Sequence, residues 1–229
     1  MSGIDGAGKS TQIQALEEHL HEIGLHSRRY TFWDDVVAFP RMREFASHKA
    51  FRGENGVGSP DKPINRRDKN VNTWYTTAAR CFFYLLDALN LRLVWSRVSD
   101  DDADFIIFDR YIYDELANLP LGKWLVRLYV RTLLKLSPKP DVAYLIDADP
   151  EAARIRKPEY PLEFLRKNRE AYIGLGALIG RMKVVGPLSI EETTSEILKS
   201  ISGLCTNRVS LEFQPQCPVG RPDLRTPNV

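Results

Sequence analysis

The hydrophobic positions of this chain recur with two alternating periods. Ile13, Leu16, Leu20 and Ile23 are spaced by three and four, the repeat of a helix with one apolar face, and Gly24 suits its C-terminal stop. Ser27 to Trp33 carries aromatic and threonine residues favoured in strands. From Phe51 to Asn70 the chain is polar, mixed in charge and broken by Gly and Pro, which predicts a long surface loop. Val71, Trp74 or Tyr75, Ala78, Phe82, Leu85 or Leu86, Leu89 and Leu93 keep helical period and predict one long central helix, leaving its polar side for a pocket.

Two continuous apolar runs follow, Phe105 to Phe108 ending in Asp109-Arg110, and Val142 to Ile146 ending in Asp147. Strands buried on both faces read in this way. Helices are expected from about Glu115 to Leu136, stopped by Pro138 and Pro140, from Leu162 to Gly180, and from Ile190 to about Ile201, with a short strand at Met182 to Val185. Apolar strands alternating with helices indicate an α/β protein with a parallel sheet covered on both faces. Beyond Gly203, Pro215, Pro218, Pro222 and Pro227 punctuate an aperiodic segment. The expected organisation is one domain over residues 1–202 and a disordered tail over 203–229.

Composition narrows the picture. At 229 residues, 43% hydrophobic and 27% charged, the chain suits one folded core, and no apolar run approaches the roughly 18 residues that span a bilayer. Thirty-two basic residues against 30 acidic ones give no general reason to bind nucleic acid or a membrane surface, so any anion site must be local. Cys81, Cys205 and Cys217 form neither a zinc pattern nor a disulfide framework, and no secretory segment opens the chain, which suits a cytoplasmic home. A homodimer stays open. His21-Glu22 lacks a second histidine at position 25, where Leu25 stands, and there is no G-x-S-x-G elbow.

The opening residues carry the candidate chemistry. Gly3-Ile4-Asp5-Gly6-Ala7-Gly8-Lys9-Ser10 satisfies the G-x-x-x-x-G-K-[ST] pattern and is followed by Thr11 and a helix. Glycines let successive backbone N–H groups turn around phosphate oxygens, and the helix N-terminus adds positive potential. Lys9 can reach the β- and γ-phosphates, and Ser10 can ligate magnesium. The pattern therefore predicts a site for ATP with Mg2+.

With Gln12 added, the string GIDGAGKSTQ resembles the opening of thymidylate kinases, a subgroup of P-loop nucleoside monophosphate kinases. Further likenesses come in order: Thr77 to Arg80, with alanine in place of the family's aspartate; FDRY at Phe108 to Tyr111; VAYLIDADPEAA at Val142 to Ala153; and REAY at Arg169 to Tyr172. The resemblance implies a P-loop NTPase-type doubly wound parallel sheet of five strands. It implies Asp109 near magnesium, Arg110 on the acceptor phosphate, and Asp5 toward the acceptor sugar and metal. Arg80 would meet the acceptor base and Tyr172 would lie near the acceptor. The bland alternatives are a strand-capping Asp109, a surface salt bridge at Arg110, a turn residue at Asp5, a helix-surface Arg80 paired with Asp87, a core-packing Tyr172, and plain helical solvation for Arg154, Arg156 and Lys157.

The chain also departs from that family. Its lid is compressed to RIRKPEYPLEF, in which Arg154, Arg156 and Lys157 could neutralise the transferring phosphoryl group, while Pro158 and Pro161 limit movement. Asn118 stands where the family usually has a tyrosine against the acceptor, and Arg41 substitutes for a missing arginine-glutamate-proline segment. The expected activity is transfer of the γ-phosphoryl group of ATP to a nucleoside monophosphate, dTMP foremost. The alternatives are another small phosphorylated or hydroxylated acceptor, or a nucleotide-binding module without turnover.

Only Met1 and Ser2 precede Gly3, so the strand that should feed a phosphate loop is expected to be absent from this chain, and its native product to carry an apolar strand before Ser2. About five buried apolar residues at roughly 1.5–3 kcal/mol each would otherwise be forfeited.

Overall fold

The computed structural model describes residues 1–39, 43, 74–98, 102–186 and 188–212, with side chains followed to residue 202. Two compact units emerge, Met1–Thr194 and the remainder from Ser195.

The first helix, α1 (Lys9–Glu22), forms as its spacing requires, burying Ile13, Leu16 and Leu20, and Gly24 turns the chain at φ +79°. Ile23 caps the helix and is exposed rather than core-facing. Strand β1 is shorter than expected (Ser27–Thr31), because Phe32–Val36 winds into a single π-helical turn that Asp35 closes by accepting from the Thr31 N–H at 2.6 Å.

The long helix, α2 (Trp74–Val98), presents a different face to the core from the one its apolar spacing suggests. Thr76, Tyr84, Asp87, Ala88, Leu91 and Val98 are buried, whereas Phe82, Leu85, Leu89 and Leu93 are exposed. Long-range partners explain the reversal. Asp87, wholly buried, accepts from the Ala38 N–H and from the Arg43 guanidinium, each at 2.8 Å. Burial pushes its carboxyl upward in pKa, against those donors. Arg43 also lies over the Phe83 ring at 4.6 Å. The bland pairing of Arg80 with Asp87 is thus replaced by Arg43 with Asp87.

Strand β2 (Phe105–Asp109) pairs in parallel with β1, Ser27 opposite Phe105 and Thr31 opposite Asp109. Tyr30 stacks on its register partner Phe108, and Trp95 of α2 stacks on the same ring. The helix expected over 115–136 is two: α3 (Ile112–Leu116) and α4 (Trp124–Leu136). Pro120 and Gly122 interrupt it, with tight bonds from Leu121 N–H to Leu119 O and from Lys123 N–H to Pro120 O.

Strand β3 (Ala143–Ile146) leads to α5 (Pro150–Arg156), whose N-cap Asp149 accepts from the Ala152 N–H and whose first residue is proline. Helix α6 (Leu162–Ile179) stops at Gly180, φ +68°, and β4 (Met182–Val185) pairs in parallel with β3. Helix α7 spans Ile190–Glu212, past the expected end at Ile201 and into the segment expected to be disordered. The helix runs through Gly203, and no proline follows until Pro215. The rest of that tail lies outside the described residues.

The strands therefore form two parallel pairs, β1–β2 and β3–β4. Residues 1–2 lie between them. The Met1 amine donates to Phe108 O at 2.7 Å, the Arg110 N–H returns to Met1 O, and Ser2 bridges Leu145 in parallel.

Candidate active site around the glycine-rich loop

Residues 3–8 make a tight turn into α1, and the glycines do identifiable work in it. Gly3 (φ +148°) and Gly6 (φ +83°) pass so close to β3 and α5 that a Cβ at Gly3 would lie 2.5 Å from Ile146 O and one at Gly6 would overlap Ala153 O. Gly8, at φ +88°, is the N-cap. Ala7 and Ile4 are buried beneath, with the Ala7 N–H donating to Ile4 O at 3.2 Å. The Lys9 ammonium is drawn into the turn, donating to Gly3 O at 2.7 Å and Ile4 O at 2.8 Å. Ser10 and Thr11 are exposed on the first turn of α1.

Asp109 and Arg110 stand where β2 ends. Asp109 pairs with Arg29, a diagonal neighbour on β1 two residues from its register partner. Arg110 adopts a left-handed backbone, φ +68°, and its guanidinium donates to Asp5 of the loop at 2.5 Å. Burial works against its charge, but the carboxylates of Asp5 and Asp114 more than compensate and hold its pKa above the usual value. The loop and the strand end, more than a hundred residues apart in sequence, are thereby one electrostatic unit.

A buried polar cluster adjoins Arg110. Asp114 accepts from Ser2 Oγ at 2.7 Å, Tyr172 Oη at 2.8 Å and the Tyr111 N–H at 3.0 Å. Asn118 donates to Asp114 O at 2.9 Å and accepts from Asn168 at 3.4 Å. Glu115, from the same turn, hydrogen-bonds Tyr84 of α2, and the Arg80 charge is near enough to act on that phenol. Tyr84 and Tyr172 both have pKa values pushed well up by burial and neighbouring carboxylates.

The cations at 154–157, expected from sequence to serve a lid, make local contacts. Arg154 donates to Tyr160 O, Arg156 to Ala152 O at 3.3 Å, and Lys157 pairs with the buried Glu159 at 3.1 Å. Arg169 grips Asp147 at the end of β3 through two bonds of 2.5 and 2.6 Å. Arg41 lies outside the described residues. Among the described residues no group of three or more His, Cys, Asp or Glu side chains gathers to hold a metal ion. A magnesium ion carried by a nucleotide needs fewer, since it takes oxygen ligands and keeps phosphates and waters among them; of the two expected donors, the Ser10 residue is exposed and the Asp109 carboxylate is paired with Arg29.

No family model matches the chain. Among curated proteins it is 26% identical over 210 residues to a probable thymidylate kinase of Methanobrevibacter smithii, covering 89% of this chain and 94% of that one. It is 28% identical over 211 residues to a probable thymidylate kinase of Pyrobaculum aerophilum, covering 88% and 94%. The chain is similar to thymidylate kinases, at low identity. A third relative of the same name, from Metallosphaera sedula, is 23% identical over 218 residues, with 92% of this chain and 94% of that one aligned. The likeness to these thymidylate kinases runs through nearly the whole chain and fits the helix-rich architecture with short parallel strands.

Of the residues expected from sequence, the structure brings Asp5, Arg110, Asn118 and Tyr172 into one buried cluster, and sets Arg80 on the inward side of α2. Asp114, Glu115, Asn168, Arg29 and Arg43 were not anticipated. Two adjacent acids inside the mostly apolar IYDELANL were the available signal for the first two.

Proposed function

We propose that this protein is a nucleoside monophosphate kinase that passes the γ-phosphoryl group of ATP to the phosphate of dTMP. The observation that carries the reading is the Arg110–Asp5 pair, which sets a phosphate-matching guanidinium against the glycine-rich loop. The backbone N–H groups of residues 6–11 and the Lys9 ammonium hold the donor phosphates, for which Lys9 exchanges its carbonyl partners. Bound Mg2+ supplies charge neutralisation on the phosphates, with Ser10 and Asp109 as its protein donors. Arg110 holds the acceptor phosphate, and Arg80, Asn118, Tyr172 and Arg41 line the acceptor side. Arg154 and Arg156 are the lid cations that meet charge developing in transfer, and for this Arg154 leaves the Tyr160 carbonyl. No strong base is needed, because an acceptor phosphate is already an anionic nucleophile near pH 7.

The resemblance and the four parallel strands also support one doubly wound sheet, with residues 1–2 between the two pairs. A second copy of the chain is the partner we infer for the apolar faces of α2 and α4. These helices touch where the Tyr129 hydroxyl donates to Cys81 O, and they expose Phe82, Leu89, Leu93, Trp124, Leu125 and Leu128. At on the order of 200 Å² for a large side chain, such a surface approaches the roughly 800 Å² each partner buries in a stable interface. Light scattering that gives a monomer mass at micromolar concentration overturns the dimer.

The deciding experiment incubates the protein with Mg-ATP and a panel of nucleoside monophosphates and follows ADP release. Release stimulated by dTMP above the water blank supports the reading. Stimulation only by a different acceptor moves the substrate, an outcome favoured by the Asn118–Asn168 pair in place of an aromatic ring. Nucleotide binding with no stimulation by any acceptor leaves a binding module.

A further inference from the structure

We propose that Asp114 is a positioning residue for Arg110, the fixed member of the two carboxylates that hold its guanidinium. The inference rests on the reading of Arg110 as the acceptor-phosphate clamp. Arg110 sits in a backbone conformation that residues other than glycine seldom adopt, so its surroundings must over-determine it. Two carboxylates face its guanidinium, Asp5 at 2.5 Å and Asp114 at 3.9 Å. They differ in how they are themselves held.

Asp5 belongs to a turn flanked by glycine, on the donor loop. Asp114 is buried and takes hydrogen bonds from three places at once: Ser2 at the loop entry, Tyr172 on α6, and the N–H of Tyr111, the residue that follows Arg110. The last bond, one half of the capping box that starts α3, fixes the backbone where the chain leaves its left-handed turn. An arriving acceptor phosphate competes for the guanidinium fork. Asp5 is the contact that can be exchanged for it, while Asp114 keeps the fork aimed. Asp114 thereby acts on the acceptor through Arg110 without touching it.

The test is Asp114→Asn, which keeps the shape and removes the charge, measured by steady-state kinetics and by calorimetric titration with dTMP. The expected result is a fall of about thirty-fold in kcat/KM for dTMP, with KM for ATP within about two-fold of wild type. In a double-mutant cycle with Arg110→Lys the two losses should fall short of multiplying, because one acts through the other. Equal losses toward ATP and dTMP, or losses that multiply, mean a structural role only and overturn the proposal. If Asp114→Asn does not fold, Ser2→Ala loosens Asp114 from one side; it should raise KM for dTMP about three-fold and leave ATP unchanged, and an unchanged dTMP KM is equally fatal. A wild type that binds dTMP without turnover sinks the kinase reading and leaves the positioning role to the comparison of dissociation constants. A wild type that binds no monophosphate sinks both.

Discussion

The guanidinium of Arg110 and the carboxylate of Asp5 are bound to one another across the glycine-rich loop. The pair joins the phosphate loop, which carries Asp5, to the strand end, which carries the expected acceptor clamp Arg110. Removing Asp5 should therefore loosen the hold on the acceptor as well as the turn that carries it.

For Arg110→Ala the acceptor loses its fork of donors. KM for dTMP should rise by at least ten-fold or so and kcat should fall, while ATP affinity moves little. Parallel titrations with ATP and dTMP check the split; an equal loss for ATP would move Arg110 to the donor side.

Lys9→Ala removes the flexible cation of the loop and two hydrogen bonds that pin Gly3 and Ile4. Transfer should fall by about 100- to 1,000-fold and ATP should bind more weakly. Wild-type turnover in this variant would refute the phosphate-loop reading.

The glycines of the loop are not equivalent. An alanine at position 6 meets the Ala153 carbonyl as well as an unfavourable φ, whereas one at position 8 meets open space and only the φ. Gly8→Ala should cost about 1–2 kcal/mol, and Gly6→Ala distinctly more, because α5 must move. Thermal melts of the two variants, followed with and without ATP, rank them; the reverse order would contradict the packing of the loop on α5.

Buried phenols give the pH dependence. Burial pushes Tyr84, Tyr111 and Tyr172 above the ordinary tyrosine value of 10.0, and Tyr113 to about 12. Because their folded pKa values exceed the unfolded ones, their contribution to stability is complete below pH 10 and is lost as pH rises through the folded values. An absorbance titration of the nine tyrosines should show a group that ionises only together with alkaline unfolding. Smooth titration of all nine near pH 10 in the folded protein would contradict this.

The sequence was readable where local rules decide the outcome. The strand ending in Asp109, the short strand Met182–Val185 and the helix after Lys9 lie where their patterns put them. Helical spacing failed on α2, since it assumes that apolar residues turn inward; there a charge from Arg43 neutralises Asp87, and Glu115 meets Tyr84, so a polar face is buried instead. The break between α3 and α4 was in plain view as Pro120 and Gly122, outvoted by a strong apolar period on either side. Of the site, the loop and the Asp109-Arg110 pair were legible as strings. Asp114 was not, because its partners Ser2 and Tyr172 are brought to it only by folding.

The ring of Trp95 stacks on Phe108 at 6.0 Å, one residue before Asp109. That places an intrinsic fluorophore at the end of the strand that presents Asp109 and Arg110. Trp74 and Trp124, at 82% and 72% exposure, are open to a soluble quencher such as iodide, which dims their emission preferentially. The less quenched remainder, from Trp95 and from the half-buried Trp33 just after β1, gives an optical reading of this end of the β1–β2 pair as nucleotide is added, without a label and without waiting for turnover.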